Sequence, residues 1–224
     1  MKSPIEGGLP SEAVPASASH AAPAMTDPLE EGDPALDPRA FRRCAGQFAT
    51  GVTIVTTLVD GRPVGVTANS FSSLSMDPPL VLWSIGRSAR SFEAFQATSS
   101  FAINILSAAQ IDLSQRFSSA LEDKFTDLDW QAGIVGAPVL PGVVAVLECD
   151  AETRFDGGDH VILVGRVRSY RRYPGTSLVY AQGRYALAED HPALATATPV
   201  PAGDAAPVLP DRRERSAEPC RASP

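Results

Sequence analysis

The strongest constraint on this fold is a long alternating segment that reaches a glycine-rich turn near residue 158. Residues from Val143 to Phe155 alternate between two faces. One face carries Val143, Ala145, Leu147, Cys149 and Ala151, and the other becomes charged from Glu148 onward. The sequence Asp-Gly-Gly-Asp at 156–159 then supplies a turn before a second extended run, His160 to Tyr170. The pattern predicts a long β-hairpin, which requires a sheet around it.

Other segments of the middle region also have strand composition. The predicted strands are Gly51–Val59, Pro63–Ala68, Leu80–Ile85, Phe101–Leu106 and Leu178–Tyr185, with Asp60-Gly61 as a tight turn. Two short helices are predicted, one from Ser91 through Phe95 and one after the capping-box spacing of Ser107 and Gln110. Many strands, few helices and no βαβ alternation favour a mainly β barrel.

Composition separates this middle region from both ends of the chain. The 20 prolines gather toward the ends, where no periodicity is sustained. We therefore predict disordered tails at 1–39 and 189–224 around one domain at 40–188. Residues 1–38 carry seven acidic side chains and one lysine, and residues 189–224 carry six acidic side chains and four arginines. Of the net charge of −7, this leaves the middle at about +1, which argues against nucleic acid as the main partner.

Targeting and metal signals are weak in this sequence. Lys2 is followed by acidic and proline-rich residues, and no apolar run approaches the roughly 18 residues that span a bilayer. Cys44, Cys149 and Cys220 form an odd set without the paired spacing of metal ligands. These features predict a cytoplasmic protein with reduced thiols, no metal site and no membrane partner.

Common catalytic motifs are also missing. The sequence holds no GxGxxG, no GxxxxGK[ST] and no G-x-S-x-G elbow. His20 and His191 fall in the predicted tails, so His160 is the one histidine of the predicted domain. Any imidazole chemistry in that domain must therefore use His160.

Three segments are candidates for ligand binding. The first, Thr67, Ala68, Asn69, Ser70, Phe71, Ser72, Ser73, Leu74 and Ser75, offers amides and hydroxyls to a polar heterocycle or a phosphate. The second, Arg87 to Ser91, places two guanidinium groups before a predicted helix, an arrangement suited to an anion. The third is Gly157 to His160. Taken alone, each has an ordinary alternative: a serine-rich turn, a solvated charged loop and a plain hairpin turn.

The order of these segments resembles the short-chain flavin reductase family, the reductase components of two-component flavin-dependent monooxygenases. The resemblance covers about residues 40–188. It rests on Thr50-Gly51-Val52-Thr53, Thr67–Ser75 with Pro78-Pro79-Leu80-Val81, Asn104-Ile105-Leu106, Asp123-Lys124-Phe125 with Trp130, and Gly158-Asp159-His160 before Val164-Gly165-Arg166-Val167.

The resemblance implies a split β-barrel, usually a homodimer, with flavin near the subunit boundary. It implies that Thr50, Gly51, Val52 and Thr53 line the isoalloxazine together with Asn69 to Leu74, next to Thr67 and Ala68. Arg90 and Ser91 would face the flavin phosphate. Gly158, Asp159 and His160 would hold the nicotinamide cofactor, with Tyr185 near the same end of the barrel.

The implied reaction is hydride transfer from NADH or NADPH to FMN or FAD, with the reduced flavin passing to a partner monooxygenase. The cofactors carry the electronic work, so His160 is expected to position or polarise rather than act as an essential base. An alternative remains open: a split-barrel protein that keeps its flavin, either as an oxidase or as a binding module without turnover.

Overall fold

The computed structural model describes residues 27–191, and the chain divides into two compact units after Ala45. The first unit contains helix α1, Pro38–Ala45, which the sequence did not predict. The Asp37 carboxylate accepts the backbone N–H groups of Arg39 and Ala40, both at 3.0 Å, and so caps the helix. Residues 1–26 and 192–224 of the predicted tails lie outside the described residues, and the predicted domain limits stay a prediction.

The second unit is built mainly of antiparallel strands, as predicted. Its strands are β1 Thr50–Gly51, β2 Thr53–Val59, β3 Arg62–Ala68, β4 Ser72–Met76, β5 Pro79–Gly86, β6 Ser100–Ile105, β7 Gln131–Ala132, β8 Pro138–Val139, β9 Ala145–Gly157, β10 His160–Arg172, β11 Leu178–Ala181 and β12 Arg184–Leu187. Its helices are α2 Phe92–Ala97 and α3 Ile111–Ser118.

The strands form one large sheet and two small ones. The large sheet has the order β3-β2-β6-β9-β10-β5-β4, and a three-stranded sheet has the order β1-β11-β12. Backbone hydrogen bonds join these two sheets. The Val52 N–H donates to the Leu178 carbonyl at 3.1 Å, and the Leu106 N–H donates to the Val52 carbonyl at 3.0 Å. The start of β2 is thereby fixed against both sheets.

The predicted hairpin is confirmed as strands β9 and β10, each of 13 residues. His160 pairs with Gly157, so Gly158 and Asp159 form a two-residue turn. Gly158 has a φ of +75°, a backbone conformation that glycine adopts without steric cost. The turn therefore places Asp159 and His160 at the end of the longest strand pair.

Strand β9 has apolar clusters on both of its faces. Val146 belongs to one buried cluster and Cys149 to the other. Glu148, which alternation placed on a charged outer face, is consequently buried with 1% exposure. Its carboxylate accepts from Arg171 at 2.6 Å and from the Val135 backbone N–H at 3.2 Å, which compensates the buried charge.

The structure corrects three local predictions. The segment Thr67–Ser75, for which a serine-rich turn was the ordinary alternative, contains most of strand β4, which pairs with β5. The predicted strand Leu178–Tyr185 is two strands, β11 and β12, joined at Gln182 and Gly183, whose φ angles are +53° and +75°. The capping box is only half formed, because the Gln110 side chain accepts the Ser107 N–H at 3.0 Å while Gln110 itself is the N-cap.

Candidate active site

The predicted site begins where the chain passes from β1, in the three-stranded sheet, to β2, in the large sheet. Thr50 pairs with Tyr180, which pairs with Tyr185 across the β11–β12 hairpin. Val52 and Thr53 are each 2% exposed, so their side chains pack in the core beneath the predicted site and are not accessible to a ligand. The Thr53 hydroxyl donates to the Ala68 carbonyl at 2.7 Å. Thr50 and Gly51 are the members of this segment that remain accessible, and Gly51 has open space where a side chain would project.

Helix α3 connects Thr67 to Tyr185. The Thr67 hydroxyl donates to the Ser114 carbonyl at 2.7 Å, and the Ser114 hydroxyl lies 2.9 Å from the Tyr185 hydroxyl. Ser114 is 1% exposed, so these bonds are made inside the protein. Tyr185 of β12 is therefore held beside β3. These bonds bring Tyr185 close to Thr67, the first residue of the serine-rich segment. Sequence reasoning assigned no role to Ser114, which gave no signal beyond its place in a helix.

The serine-rich segment divides into residues that hold the fold and residues with unused polar groups. The Ser70 hydroxyl accepts the Ser84 N–H at 2.9 Å and donates to the Ser84 carbonyl at 3.1 Å, extending the sheet beyond the β4–β5 pairing. The Ser72 hydroxyl donates to the Ser73 carbonyl at 3.1 Å. Within residues 27–191, the side chains of Asn69 and Ser73 make no hydrogen bond, and both are exposed. They are the donors and acceptors that this segment leaves for a ligand.

Strand β5 joins this segment to the glycine-rich turn. Ser84 is bonded to Ser70, and Gly86, two residues further along, pairs with His160. A Cβ on Gly86 would lie 3.5 Å from His160 Nε2 and 3.9 Å from two ring carbons, so the imidazole lies over the Gly86 backbone. His160 Nδ1 is 2.7 Å from the Asp159 carboxylate, which orients the ring. The imidazole is 48% exposed and accessible to a ligand.

Arg90 and Ser91 line a separate pocket, of about 450 Å³, with Gly65 and Lys124. Arg90 donates to the Ala120 carbonyl at 2.5 Å, and Lys124 donates to the Phe117 carbonyl at 2.7 Å. Partial burial, followed by the nearby Arg90 charge, lowers the pKa of Lys124 below 10.5. An anion between the two cations would stabilise the charged form of Lys124 and so oppose this lowering of its pKa.

Lys124 is a candidate site residue that sequence reasoning missed. The motif Asp123-Lys124-Phe125 carried part of the family resemblance, but the motif gave no indication that it lies beside Arg90. The Asp123 carboxylate accepts the N–H groups of Phe125 at 2.9 Å and Thr126 at 3.1 Å. The Thr126 hydroxyl, followed by these backbone bonds, lowers the pKa of Asp123, and together they fix the loop that presents Lys124.

Strand β3 relates the pocket to the rest of the site. Gly65 lines the pocket and Ala68 pairs with Thr53, so three residues of extended chain, about 10 Å, separate them. Unused amide and hydroxyl groups at one end and two cations at the other fit a planar polar ring that carries a phosphate. The donor set is therefore compatible with a flavin mononucleotide or the corresponding half of FAD.

Among residues 27–191, no cluster of three or more His, Cys, Asp or Glu side chains is placed to hold a metal ion.

Over the same range, no helix combines the length and apolar character needed to cross a membrane.

Comparison with protein families identifies one match. The model of the "Flavin reductase like domain" family matches residues 45–189.

Three curated relatives are similar over about two thirds of this chain. A probable flavin reductase of Rhizobium meliloti is 45% identical over 67% of this chain, which spans 49%, about half, of that relative. Reductase subunit HsaB of a flavin-dependent monooxygenase from Mycobacterium tuberculosis is 40% identical, over 67% of this chain and 82% of its own. The FMN reductase (NADH) SmoA of Agrobacterium fabrum is 44% identical, over 66% of this chain and 84% of its own.

A solved structure has a similar fold. The NADH:FAD oxidoreductase SgcE6 of Streptomyces globisporus aligns with a TM-score of 0.68 at 38% identity, covering 75% of this chain and 98% of its own. A second structure of SgcE6 contains NAD and FAD fragments and aligns with a TM-score of 0.67.

Proposed function

We propose a function from the premise that this chain belongs to the flavin reductase family and has a split β-barrel fold. It is an NAD(P)H:flavin oxidoreductase that reduces FMN or FAD. The bound flavin supplies the hydride acceptor, and the nicotinamide supplies the hydride. The protein must hold the two rings at about 3–3.5 Å and exclude water between them.

One observation carries the assignment of the two ring sites. The flavin segment is bonded to Ser84, and the nicotinamide turn pairs with Gly86, on the same strand. Positions two apart on a strand lie roughly 7 Å from each other, and the two contacts are made at opposite edges of β5, which lies between β10 and β4 in the sheet. A rigid element therefore fixes the spacing between the proposed flavin and nicotinamide sites, which is the requirement for hydride transfer.

The flavin ring is proposed to contact the accessible polar groups at one end of β3. Asn69 and Ser73 offer an amide and a hydroxyl, and Thr50 and Gly51 approach from the small sheet. Thr67, Ala68 and Ser70 have their polar groups committed to the fold, so their role is to hold this surface in place. The arrangement favours recognition of the flavin edge through few, well-positioned hydrogen bonds.

The flavin phosphate is proposed to bind between Arg90 and Lys124. Helix α2 has only six residues, and Ser91 makes no side-chain capping bond, so the two side-chain charges supply the attraction. Ser91 adds a hydroxyl that makes no hydrogen bond within residues 27–191. Phosphate binding here would raise the lowered pKa of Lys124 toward its ordinary value.

His160 is proposed to position the nicotinamide. Its imidazole is exposed on the β5 face and is oriented by Asp159. Hydride transfer to a flavin requires no protein nucleophile, and His160 needs no base function in this scheme. Tyr185 is held by Ser114 and contributes an aromatic edge near Thr67.

The partner is proposed to be a flavin-dependent monooxygenase that receives the reduced flavin, in a cytoplasmic setting. The names of HsaB and its homologues support this role, because they are reductase subunits of such enzymes. A homodimer is also proposed. Leu74 and Met76 on the edge strand β4 are 49% and 83% exposed beside the flavin segment, where a second subunit would cover them.

The deciding experiment is a steady-state assay of purified protein with NADH and NADPH crossed against FMN, FAD and riboflavin. We expect NAD(P)H oxidation that depends on added flavin, with FMN or FAD preferred over riboflavin because of the phosphate. If no combination of nicotinamide and flavin gave flavin-dependent oxidation, the proposed reductase activity would be wrong. Retention of stoichiometric flavin through gel filtration, with no stimulation by added flavin, would favour the alternative of a barrel that keeps its flavin.

A further inference from the structure

Arg87 lies directly after β5, between the nicotinamide turn and the phosphate pocket. Its Nε donates to the Gly158 carbonyl at 3.1 Å, and its Nη2 donates to the Asp156 carboxylate. Its backbone N–H donates to the Asp159 carbonyl at 2.9 Å. One residue outside the hairpin is therefore bonded to the last part of β9 and to both residues of the turn.

The turn depends on such contacts because its own packing is sparse. Gly158 has no atom within 4 Å of the place where a side chain would project, and the Asp156 and Asp159 side chains are 88% and 93% exposed. His160 begins β10 immediately after this turn. A change in the angle of the turn would thus move the imidazole across Gly86.

The other side of the Arg87 guanidinium contacts α2. Its central carbon lies 5.8 Å from the centroid of the Phe92 ring, within the range of a cation–π contact. Phe92 is the first residue of α2 and follows Arg90 and Ser91 directly. Arg87 therefore contacts the turn proposed for the nicotinamide and the helix residue that directly follows the segment proposed for the flavin phosphate.

We propose that Arg87 is a positioning residue for hydride transfer, which sets the His160 turn at a fixed distance from the phosphate-binding segment. This inference rests on the proposed function. Arg87 acts through His160, and its exposed ion pair contributes little to global stability, as is usual for such pairs. Its removal therefore lowers the rate of hydride transfer without weakening binding of the flavin ring.

The test compares Arg87→Gln, Arg87→Lys and wild type by stopped-flow reduction of saturating flavin. For Arg87→Gln we expect kcat/KM for NADH to fall about three- to thirtyfold, the range for a misplaced contact residue. Riboflavin affinity and Tm should be unchanged. Arg87→Lys should recover part of the rate, because one ammonium keeps the charge but not the two-armed geometry. Asp156→Asn weakens the same contact while keeping Arg87, and it should give a smaller loss of kcat/KM for NADH. It replaces Arg87→Gln as the test variant if Arg87→Gln folds poorly.

Two controls separate positioning from general damage. Arg168→Gln removes a comparable exposed pair between β10 and β9, with Asp150 at 2.6 Å, and should leave hydride transfer unchanged. In a His160→Ala background, Arg87→Gln should cost less than twofold, because the residue it positions is gone. Wild-type kinetics in Arg87→Gln and Asp156→Asn, or a full additional loss in the His160→Ala background, would overturn this inference. Either result would leave the proposed function intact. A wild-type protein that fails to oxidise NADH with any flavin would instead remove the proposed function.

Discussion

Single hydroxyl groups in the serine-rich segment have different roles despite similar chemistry. Ser70 and Thr67 bond to the backbone of β5 and α3, whereas Asn69 and Ser73 retain accessible polar groups. A buried polar group without a partner costs about 1–3 kcal/mol, so the committed hydroxyls are expected to matter for stability. The accessible ones are expected to matter for flavin affinity.

Arg90→Ala should raise the KM for FMN about ten- to a hundredfold, since one charge-assisted contact contributes about 1.5–3 kcal/mol. Riboflavin, which has no phosphate, should be little affected. Arg172→Ala, an exposed arginine at the last position of β10 and outside the pocket lining, is the matched control. Steady-state kinetics with both flavins provide the measurement, and equal losses with FMN and riboflavin would remove Arg90 from the phosphate site.

His160→Ala should bind flavin nearly normally but lose about ten- to a thousandfold in kcat/KM for the nicotinamide, or roughly 1.4–4 kcal/mol. The reason is misalignment of the two rings rather than loss of a base. Fluorescence titration measures flavin binding, and stopped-flow absorbance measures hydride transfer. NADH turnover at the wild-type rate would make His160 an ordinary strand residue after a hairpin turn.

At the scale of secondary-structure elements, α3 packs closely on β3 because Gly65 has no side chain. A Cβ at this position would lie 2.6 Å from Phe117 Cε1 and 3.2 Å from Phe125 Cζ. Phe117 is fully buried and meets Phe125 edge to face at 4.9 Å, so neither ring can move freely. The close approach also brings Ser114 to Thr67.

Gly65→Ala should therefore destabilise the fold by about 1–3 kcal/mol, the usual cost of overpacking a core. Gly32→Ala is the control, since nothing lies within 4 Å of its added carbon. Urea unfolding monitored by tryptophan fluorescence gives the free energies. A Gly65→Ala protein as stable as Gly32→Ala would show that α3 shifts away from β3 at little cost.

At the scale of the whole molecule, Cys149 on β9 is fully buried in one of the two apolar clusters. Burial, and then the charges of Asp150 and Glu148, raise the pKa of this thiol from 9.0 to about 12. A raised pKa means that the thiol's contribution to stability is complete below pH 9 and is lost as the pH rises from 9 toward 12.

We expect a thiol reagent at pH 8 to label the exposed Cys44 rapidly and to label Cys149 only on unfolding. A Cys44→Ser, Cys220→Ser protein isolates Cys149, and its labelling rate should rise with urea in parallel with unfolding. Cys149→Ala should lose less stability than wild type between pH 9 and 12. Rapid labelling of Cys149 in the native protein would contradict burial of this strand on both faces.

The chemistry is also expected to be independent of the predicted tails. A chain cut to residues 39–190 should fold and retain flavin reductase activity, because every residue of the proposed site lies between Thr50 and Tyr185. Circular dichroism and the NADH oxidation assay check both properties. Loss of the fold on cutting would show that the removed residues stabilise the barrel.

The sequence by itself determined the elements that depend on local patterns. Alternation with a glycine-rich turn predicted the β9–β10 hairpin, because a two-residue period permits one secondary structure. The Asp60-Gly61 turn was likewise predictable, since both residues have positive φ in the structure. The ordered motifs identified the family, which the comparisons confirmed.

Only the tertiary structure decided which groups are buried and which segments meet. Glu148 occupies a charged position in the alternation, yet its face is covered by the 133–135 segment, and burial depends on what packs there. Lys124 and Arg90 are 34 positions apart, and Arg87 and Asp156 are 69 apart. No local pattern encodes such pairs, because the strand order of the large sheet and the packing of helices beside it bring them together.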